Sequence, residues 1–147
     1  NQMADKFHYI VRGLCISEGQ ILVAKAIGEK NTFLPGGHVD TGEKAQDALV
    51  REIKEELGVT ATISFFLGAV ENYWEQNSVS HFEINLVFMV KIDELSVNTK
   101  PTSQEDHLEF LWVRPEELPA LNLLPTPNIE LVNGLHQYKP AFWASTL

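Results

Sequence analysis

The chain lacks the features of cross-linked and membrane-spanning proteins. Cys15 is the only cysteine in 147 residues, so no intrachain disulfide can form. Its apolar, strand-like surroundings favour a buried, inert thiol over a nucleophile. No segment approaches the roughly 18 apolar residues of a membrane helix, and no charged-then-apolar signal segment opens the chain. These absences favour a cytoplasmic protein without membrane contact.

Basic residues are also scarce. The chain has 11 Lys and Arg against 20 Asp and Glu, for a formal net charge of −9. This balance argues against binding a nucleic-acid polymer, which needs a basic face. It does not exclude a small anionic substrate, because metal ions and a few local cations can invert the potential inside one cleft.

Length predicts a single domain spanning residues 1–147. Residues 1–5 are expected to be disordered or left over from cloning. A hairpin is expected from strands at 7–17 and 21–26, and a helix at 44–57 that ends before Gly58. Further strands are predicted at 59–70, 81–92 and 110–113. A short helix is predicted to open at 114–118, and a final helix is predicted with Gly134 near its end.

Three carboxylates crowd one side of the predicted helix 44–57. Glu52, Glu55 and Glu56 have i, i+3 and i+4 spacing, so they fall within about 100° of arc. Like charges at this spacing repel by roughly 0.2–0.5 kcal/mol per pair. On its own the trio is more typical of a solvated helix face. A hard divalent cation with oxygen ligands is the functional alternative.

The residues around this trio carry a family signature. Gly37, five residues, Glu43, seven residues and then the segment Arg-Glu-Ile-Lys-Glu-Glu-Leu-Gly-Val at 51–59 resemble the Nudix box at every fixed position. The resemblance implies an α/β/α sandwich with a mixed β-sheet and the box as a loop–helix–loop. It also implies hydrolysis of a phosphoanhydride bond in a nucleoside diphosphate-linked compound.

The same resemblance implies a metal-dependent site within the box. Glu52, Glu55, Glu56 and the Gly37 carbonyl would bind Mg²⁺ or Mn²⁺. Glu55 or Glu56 is the first choice for general base, and Glu52 and Arg51 complete the catalytic set. Arg51 is expected to pair with Glu43 and brace the loop against the helix. Many Nudix enzymes add a carboxylate from a later loop, for which Glu105 and Glu109 are both candidates.

Substrate contacts are expected outside the box. Lys25 resembles the phosphate-contacting cation of MutT-like enzymes. Glu83, together with His81 and Asn85, occupies the polar start of a strand, which fits a cleft lining and an exposed edge about equally well. Asn128 loosely matches an asparagine that reads a purine edge, although a helix N-cap role is favoured.

Two further expectations concern polar surroundings. A solvated position on a strand face is favoured for Arg12. Residues 71–80 are polar with two aromatics, which predicts a loop. There Tyr73 and Trp74 could stack on a base, although packing onto the body of the protein is favoured.

The segments outside the box match no Nudix subfamily clearly. By elimination, a MutT-like nucleoside tri- or diphosphate pyrophosphohydrolase leads. An ADP-ribose or nucleotide-sugar pyrophosphatase is the alternative, and a non-catalytic nucleotide-binding sensor stays open. In each case the partner is a small-molecule nucleotide, and the protein is expected to be a monomer or homodimer.

Overall fold

A computed structural model of the protein describes residues 5–137 and 141–147; residues 1–4 of the segment expected to be disordered or cloning-derived lie outside this part. The strands are β1 Lys6–Ser17, β2 Gln20–Ala26, β3 Gly36–His38, β4 Thr62–Gln76, β5 Val79–Lys91, β6 Leu108–Val113 and β7 Phe142–Ser145. The helices are α1 Ala45–Leu57 and α2 Pro127–Asn133, with a 3₁₀ turn at Pro115–Glu117. Within the described residues, no helix has the length and apolar character needed to cross a membrane.

The strands form one mixed sheet in the order β6-β2-β1-β5-β4-β7, with β3 pairing to β1. The β1–β5 and β4–β7 pairs are parallel, whereas β2–β6 and β4–β5 are antiparallel. The short antiparallel β1–β2 connection confirms the predicted hairpin. Strand β1 therefore pairs with β3, which carries the start of the box, and with β5. Val11 of β1 lies opposite a residue of each of these strands.

A hydrophobic layer covers each face of the sheet. Leu49 and Ile53 of α1 pack on one face together with Val11 of β1. Leu131 of α2 and Leu14 of β1 both belong to the second layer. This arrangement confirms the predicted α/β/α sandwich, since each helix buries its apolar side on a different sheet face.

The box helix has the predicted boundaries to within one residue. It begins at Ala45, and it ends at Leu57 because Gly58 adopts a left-handed conformation with φ 70°. The Gly58 N–H donates to the Lys54 carbonyl at 2.9 Å, which closes the last turn.

The prediction of a loop at residues 71–80 is wrong. Strands β4 and β5 run through this segment as one long hairpin, in which Trp74 lies opposite His81. Only Asn77 and Ser78 form the turn, with φ values of 53° and 63°, as a tight hairpin requires. The segment resembles a loop in sequence because the strand faces here are covered by polar side chains. Strand β4 consequently extends to Gln76 rather than ending at Val70.

Candidate active site

The Gly36–Gly37 backbone lies directly against the box helix. Strand β3 places Gly36 opposite Arg12 and Gly37 opposite Val11 of β1. A Cβ atom at Gly36, whose φ is 141°, would overlap the Val11 carbonyl oxygen. A Cβ atom at Gly37 would lie 2.6 Å from the Glu52 carboxylate carbon. Only glycine allows the backbone to approach the carboxylate this closely.

Arg51 ties the box loop to the helix. Its Nε and Nη2 donate to the two carboxylate oxygens of Glu43 at 2.8 and 3.0 Å, which confirms the predicted pairing. Nη2 also donates to the His38 carbonyl at 3.1 Å. The hydrogen bonds from Arg51 lower the pKa of Glu43 to about 2, and those to Glu43 are the main cause of a raised pKa for Arg51. The pair therefore stays charged at any pH at which the protein is used.

The same guanidinium partly neutralises the acidic side of α1. Nη1 of Arg51 lies 3.0 Å from Glu52 Oε1 and 3.3 Å from Glu55 Oε1. The Glu52 side chain is 18% exposed, whereas that of Glu55 is 51% exposed. Across the part of the chain that the structure describes, no three His, Cys, Asp or Glu side chains converge as ligands of one metal ion. The cation that compensates Glu52 and Glu55 in this arrangement is Arg51.

Glu56 differs from its two neighbours because it is buried, with 6% of its surface exposed. Its Oε1 accepts a hydrogen bond from the Gly36 N–H at 3.2 Å. The Glu56 pKa is raised to about 7, mainly by burial. The charge of Arg12 and the Gly36 N–H oppose this rise, whereas the charges of Glu52 and Glu105 contribute to it. A carboxyl group with this pKa can accept and release a proton near neutral pH.

The chemistry of these oxygen donors fits a hard divalent cation. Glu52 packs on Gly37, Glu56 packs on Gly36, and Glu55 follows Glu52 by about one helical turn. Carboxylate and carbonyl oxygens are the ligands that Mg²⁺ and Mn²⁺ take in proteins. Binding would require Glu52 and Glu55 to exchange part of their contact with Arg51 for the ion.

Arg12 is not the solvated cation that was predicted. It is partly buried, its Nη1 donates to the Leu34 carbonyl at 3.1 Å, and its guanidinium lies 5.2 Å from the centre of the Phe33 ring. Burial lowers its pKa, whereas the charges of Glu56, Glu83 and Glu52, in that order, raise it. Sequence periodicity missed Arg12 because a strand face that borders a cavity and one that borders solvent are equally polar.

Arg12 forms part of the wall of a cavity of about 440 Å³ beside the box. The remaining lining residues are Asn31, Phe33, Asn72, Tyr73, Trp74, Glu83, Asn85, Leu124, Pro125 and Thr126. Aromatic and apolar surfaces combined with a few amide and carboxylate groups are typical of small-molecule sites of this size. Glu83 and Asn85 thus line a cleft, as one of the two sequence interpretations expected, whereas His81 is not among the lining residues.

Trp74 is held in the cavity wall by histidines. Its indole stacks on the His81 ring, with 4.8 Å between the ring centres. His8 lies beside both, with its Nε2 2.9 Å from His81 Nδ1 and its Nδ1 3.0 Å from His38 Nε2. His38 belongs to the box loop, so this chain of imidazoles runs from the box to the aromatic wall. No sequence pattern signalled it, because the three histidines come from three separate strands.

The late asparagine does not cap its helix. The N-cap of α2 is Thr126, and Asn128 lies inside the first turn, so the favoured N-cap interpretation is wrong. The Asn128 side chain is fully buried, and both of its amide atoms lack a partner among the described residues. Asn128 lies two residues after Thr126, which lines the cavity.

Of the remaining predicted residues, Lys25 and Glu109 lie on the β2–β6 pair and Glu105 lies near the box helix. Lys25 Nζ lies 3.9 Å from Glu109 Oε1, across the β2–β6 pair; neither residue lines the cavity. Glu105 lies close enough to raise the Glu56 pKa, and the preceding Gln104 N–H donates to the Glu56 carbonyl at 2.7 Å. Of the two candidates for an extra carboxylate, Glu105 is therefore the one near the box.

Comparison with known proteins gives a consistent result. The NUDIX domain profile matches residues 6–133. A nucleoside triphosphatase NudI from Escherichia fergusonii is 30% identical over 126 residues, which cover 78% of this chain and 86% of that protein. Among solved structures, a MutT NUDIX hydrolase from Burkholderia pseudomallei superposes with a TM-score of 0.70 at 21% identity, covering 89% of this chain and 99% of the other. A UDP-X diphosphatase gives 0.65 at 21% identity, with 98% and 69% covered.

Proposed function

Because the chain belongs to the Nudix hydrolase family, we propose that it hydrolyses a phosphoanhydride bond in nucleoside tri- or diphosphates with Mg²⁺ or Mn²⁺. One observation carries this proposal: Arg12 lies between the buried carboxylate of Glu56 and a cavity of about 440 Å³ lined by aromatic and amide side chains. A nucleotide whose base enters the cavity would have its phosphates directed toward the box. Hydrolases of this family generally require a divalent metal ion.

The carboxylates of Glu52, Glu55 and Glu56 and the carbonyl of Gly37 would hold the ion. The close approach of the Gly37 backbone to the Glu52 carboxylate supports this set, because it places the two residues side by side. A bound divalent ion supplies positive charge to the phosphates and makes a coordinated water more acidic. Arg51 positions Glu52 and Glu55 without itself touching the substrate.

Glu56 is the residue we assign to proton acceptance from the attacking water. Its burial and the hydrogen bond that it accepts from the Gly36 N–H support this role, because they hold the carboxylate in place against the box loop. Glu55, half exposed and bound to Arg51, remains the second candidate. Glu105 is the supporting carboxylate, whereas Glu109 is engaged with Lys25.

The cavity would take the base and sugar. Trp74 and Phe33 offer aromatic faces for stacking, and Glu83 offers a hydrogen-bond acceptor. The Tyr73 ring packs on Phe82 instead. Asn128 is a further candidate contact, because a buried amide without partners is costly unless something binds to it. Lys25 would contact the substrate only if the phosphates extend beyond the cavity toward β2. The similarity to nucleoside triphosphatases at 30% identity supports a triphosphate over a nucleotide sugar.

A panel of nucleotides with Mg²⁺ or Mn²⁺ tests the proposal. The panel contains the common ribo- and deoxyribonucleoside tri- and diphosphates, ADP-ribose and UDP-sugars, and released phosphate or pyrophosphate is measured. We expect turnover of a triphosphate that is lost on chelation and reduced by at least about 100-fold in Glu56→Gln. The exposed Glu116→Gln variant is the matched control and should keep wild-type turnover. Binding without release from any compound would contradict the hydrolase assignment and favour a nucleotide sensor.

A further inference from the structure

We propose that the protein forms a homodimer through the part of the sheet that helix α1 leaves uncovered. This surface, the open face, is built from side chains of β1, β4, β5 and β7 on the α1 side of the sheet. The partner that it fits is a second copy of the chain. The inference concerns assembly and does not depend on the proposed hydrolysis, because no residue of 37–59 belongs to the open face.

The pairing register decides which side chains point to the α1 side. Val11 of β1 belongs to the hydrophobic layer under α1, and it lies opposite Leu86 of β5. Side chains alternate along a strand, so every second residue from Val11 and Leu86 shares their face, together with the residues opposite them on β4 and β7. The apolar members of the open face are therefore Phe7, Tyr9, Phe66, Ala69, Tyr73, Phe82, Ile84 and Trp143.

Helix α1 covers only the neighbouring part of this side of the sheet. A Cβ atom at Gly13 would lie 3.4 Å from Leu49 and from Ile53 of the helix, so the helix lies directly over that part of β1. Tyr73 and Phe82 form a half-buried ring pair with 5.2 Å between the ring centres. Four other aromatic side chains of the open face are between 41% and 69% exposed: Phe7, Tyr9, Phe66 and Trp143. Single exposed apolar residues are ordinary, whereas a continuous aromatic patch marks an interaction site.

The chemistry of the open face selects its occupant. Its described residues include no Lys or Arg, and the chain has a net charge of −9, so a nucleic acid or an anionic lipid surface would gain no attraction there. Glu71 is the one charged residue in these rows of the described sheet, and it lies beside the exposed Ser145 of β7, at the border of the patch. Interfaces with transient partners are about as polar as the rest of a protein surface, whereas homodimer interfaces are more apolar. A nearly uncharged aromatic patch therefore fits a second copy.

A second copy complements the open face in shape and in charge. Under a twofold axis the same patch serves both subunits, and two sheet faces can pack about 10 Å apart, as the layers of a β-sandwich do. Both copies carry the same net negative charge, so they approach with least repulsion where the surface is nearly uncharged. Pairing would bury the exposed rings and brace β4 and β5, whose opposite side bears the cavity-lining Asn72, Glu83 and Asn85.

The mass of the protein in solution tests whether the dimer exists. We expect sedimentation equilibrium at a protein concentration of about 100 μM to give twice the chain mass of 16.6 kDa. A wild-type protein that stays monomeric at this concentration overturns the inference and leaves the proposed function untouched.

The variants Phe7→Lys and Trp143→Lys locate the interface. Each places a charge in the open face of both copies, and each should raise the dissociation constant of the dimer by at least about 30-fold. Both side chains are more than half exposed, so the far-UV circular dichroism of the variants should match that of the wild type.

Phe65→Lys is the matched control. Phe65 is 56% exposed and lies opposite Met89, on the other side of the sheet, so its replacement should change the dissociation constant by no more than about twofold. If the Phe7 and Trp143 variants remain as dimeric as the wild type, or if only Phe65→Lys dissociates the dimer, another surface forms the interface and the inference is wrong.

Discussion

Replacing the buried carboxylate of Glu56 with an amide should make the metal-free protein more stable at alkaline pH. In the folded protein the Glu56 pKa is about 7, against 4.5 for an unperturbed glutamate. Between those values the folded protein keeps a proton that the unfolded chain has released, so its free energy of unfolding falls as pH rises. Above pH 7 the charge of Glu56 costs about 3 kcal/mol, from 1.36 kcal/mol per pKa unit.

The Glu56→Gln variant removes this cost while preserving most contacts. Its side-chain oxygen can still accept the Gly36 N–H, and the volume is unchanged. Arg12 loses a favourable charge, which offsets part of the gain. We therefore expect stabilisation of roughly 1–3 kcal/mol at pH 8 and almost none at pH 5.

Urea unfolding followed by tryptophan fluorescence in the presence of EDTA measures this difference from pH 5 to 8. Glu116→Gln, in which an exposed carboxylate is exchanged in the same way, should show no pH-dependent change relative to wild type. If Glu56→Gln is no more stable than wild type at pH 8, or if the difference is the same at pH 5, the charge of Glu56 does not destabilise the folded protein as described.

Three further outcomes follow from the site. At pH 8, MgCl₂ should raise the unfolding midpoint of the wild type more than that of Glu56→Gln, as calorimetry would show; equal shifts would place the ion elsewhere. Gly37→Ala should lower kcat by at least about 10-fold, because its Cβ would displace the Glu52 carboxylate; wild-type kcat in steady-state assays would rule out that contact. Trp74→Ala should raise KM by about 5- to 100-fold through lost base stacking, and an unchanged KM would remove Trp74 from the binding site.

The arrangement of the box was predictable because its residues are close in sequence. Turn, helix and carboxylate spacing lie within residues 37–59, so local rules suffice to place Glu52, Glu55 and Glu56 on one side of α1. The pairing of Glu43 with Arg51 follows from the same signature. The two-sided sandwich was expected as well, because the resemblance of the box to the Nudix family implies it.

The cavity wall was harder to predict because it depends on contacts between distant segments. A polar residue on a strand is equally compatible with a position in solvent and a position beside a cavity. For this reason Arg12 was expected in solvent, and residues 71–80 were expected to form a loop. The burial of Asn85 and the hydrogen bond from Asn72 to Glu83 arise only after β4 and β5 pair. Similarly, Lys25 faces Glu109 only because β6 lies beside β2. These contacts form only in the tertiary structure, and no local sequence pattern predicts them.

The long β4–β5 hairpin determines how this enzyme could acquire a new substrate. Because several cavity-lining side chains belong to these paired strands, a single substitution can alter one of them while the backbone, and with it the placement of the others, stays fixed. A change of length has a different result. Deleting one residue on one side of the Asn77–Ser78 turn would shift the pairing of Asn72 with Glu83 and turn each displaced side chain to the opposite face. Libraries for altered specificity should therefore vary residue identity in this hairpin and never its length.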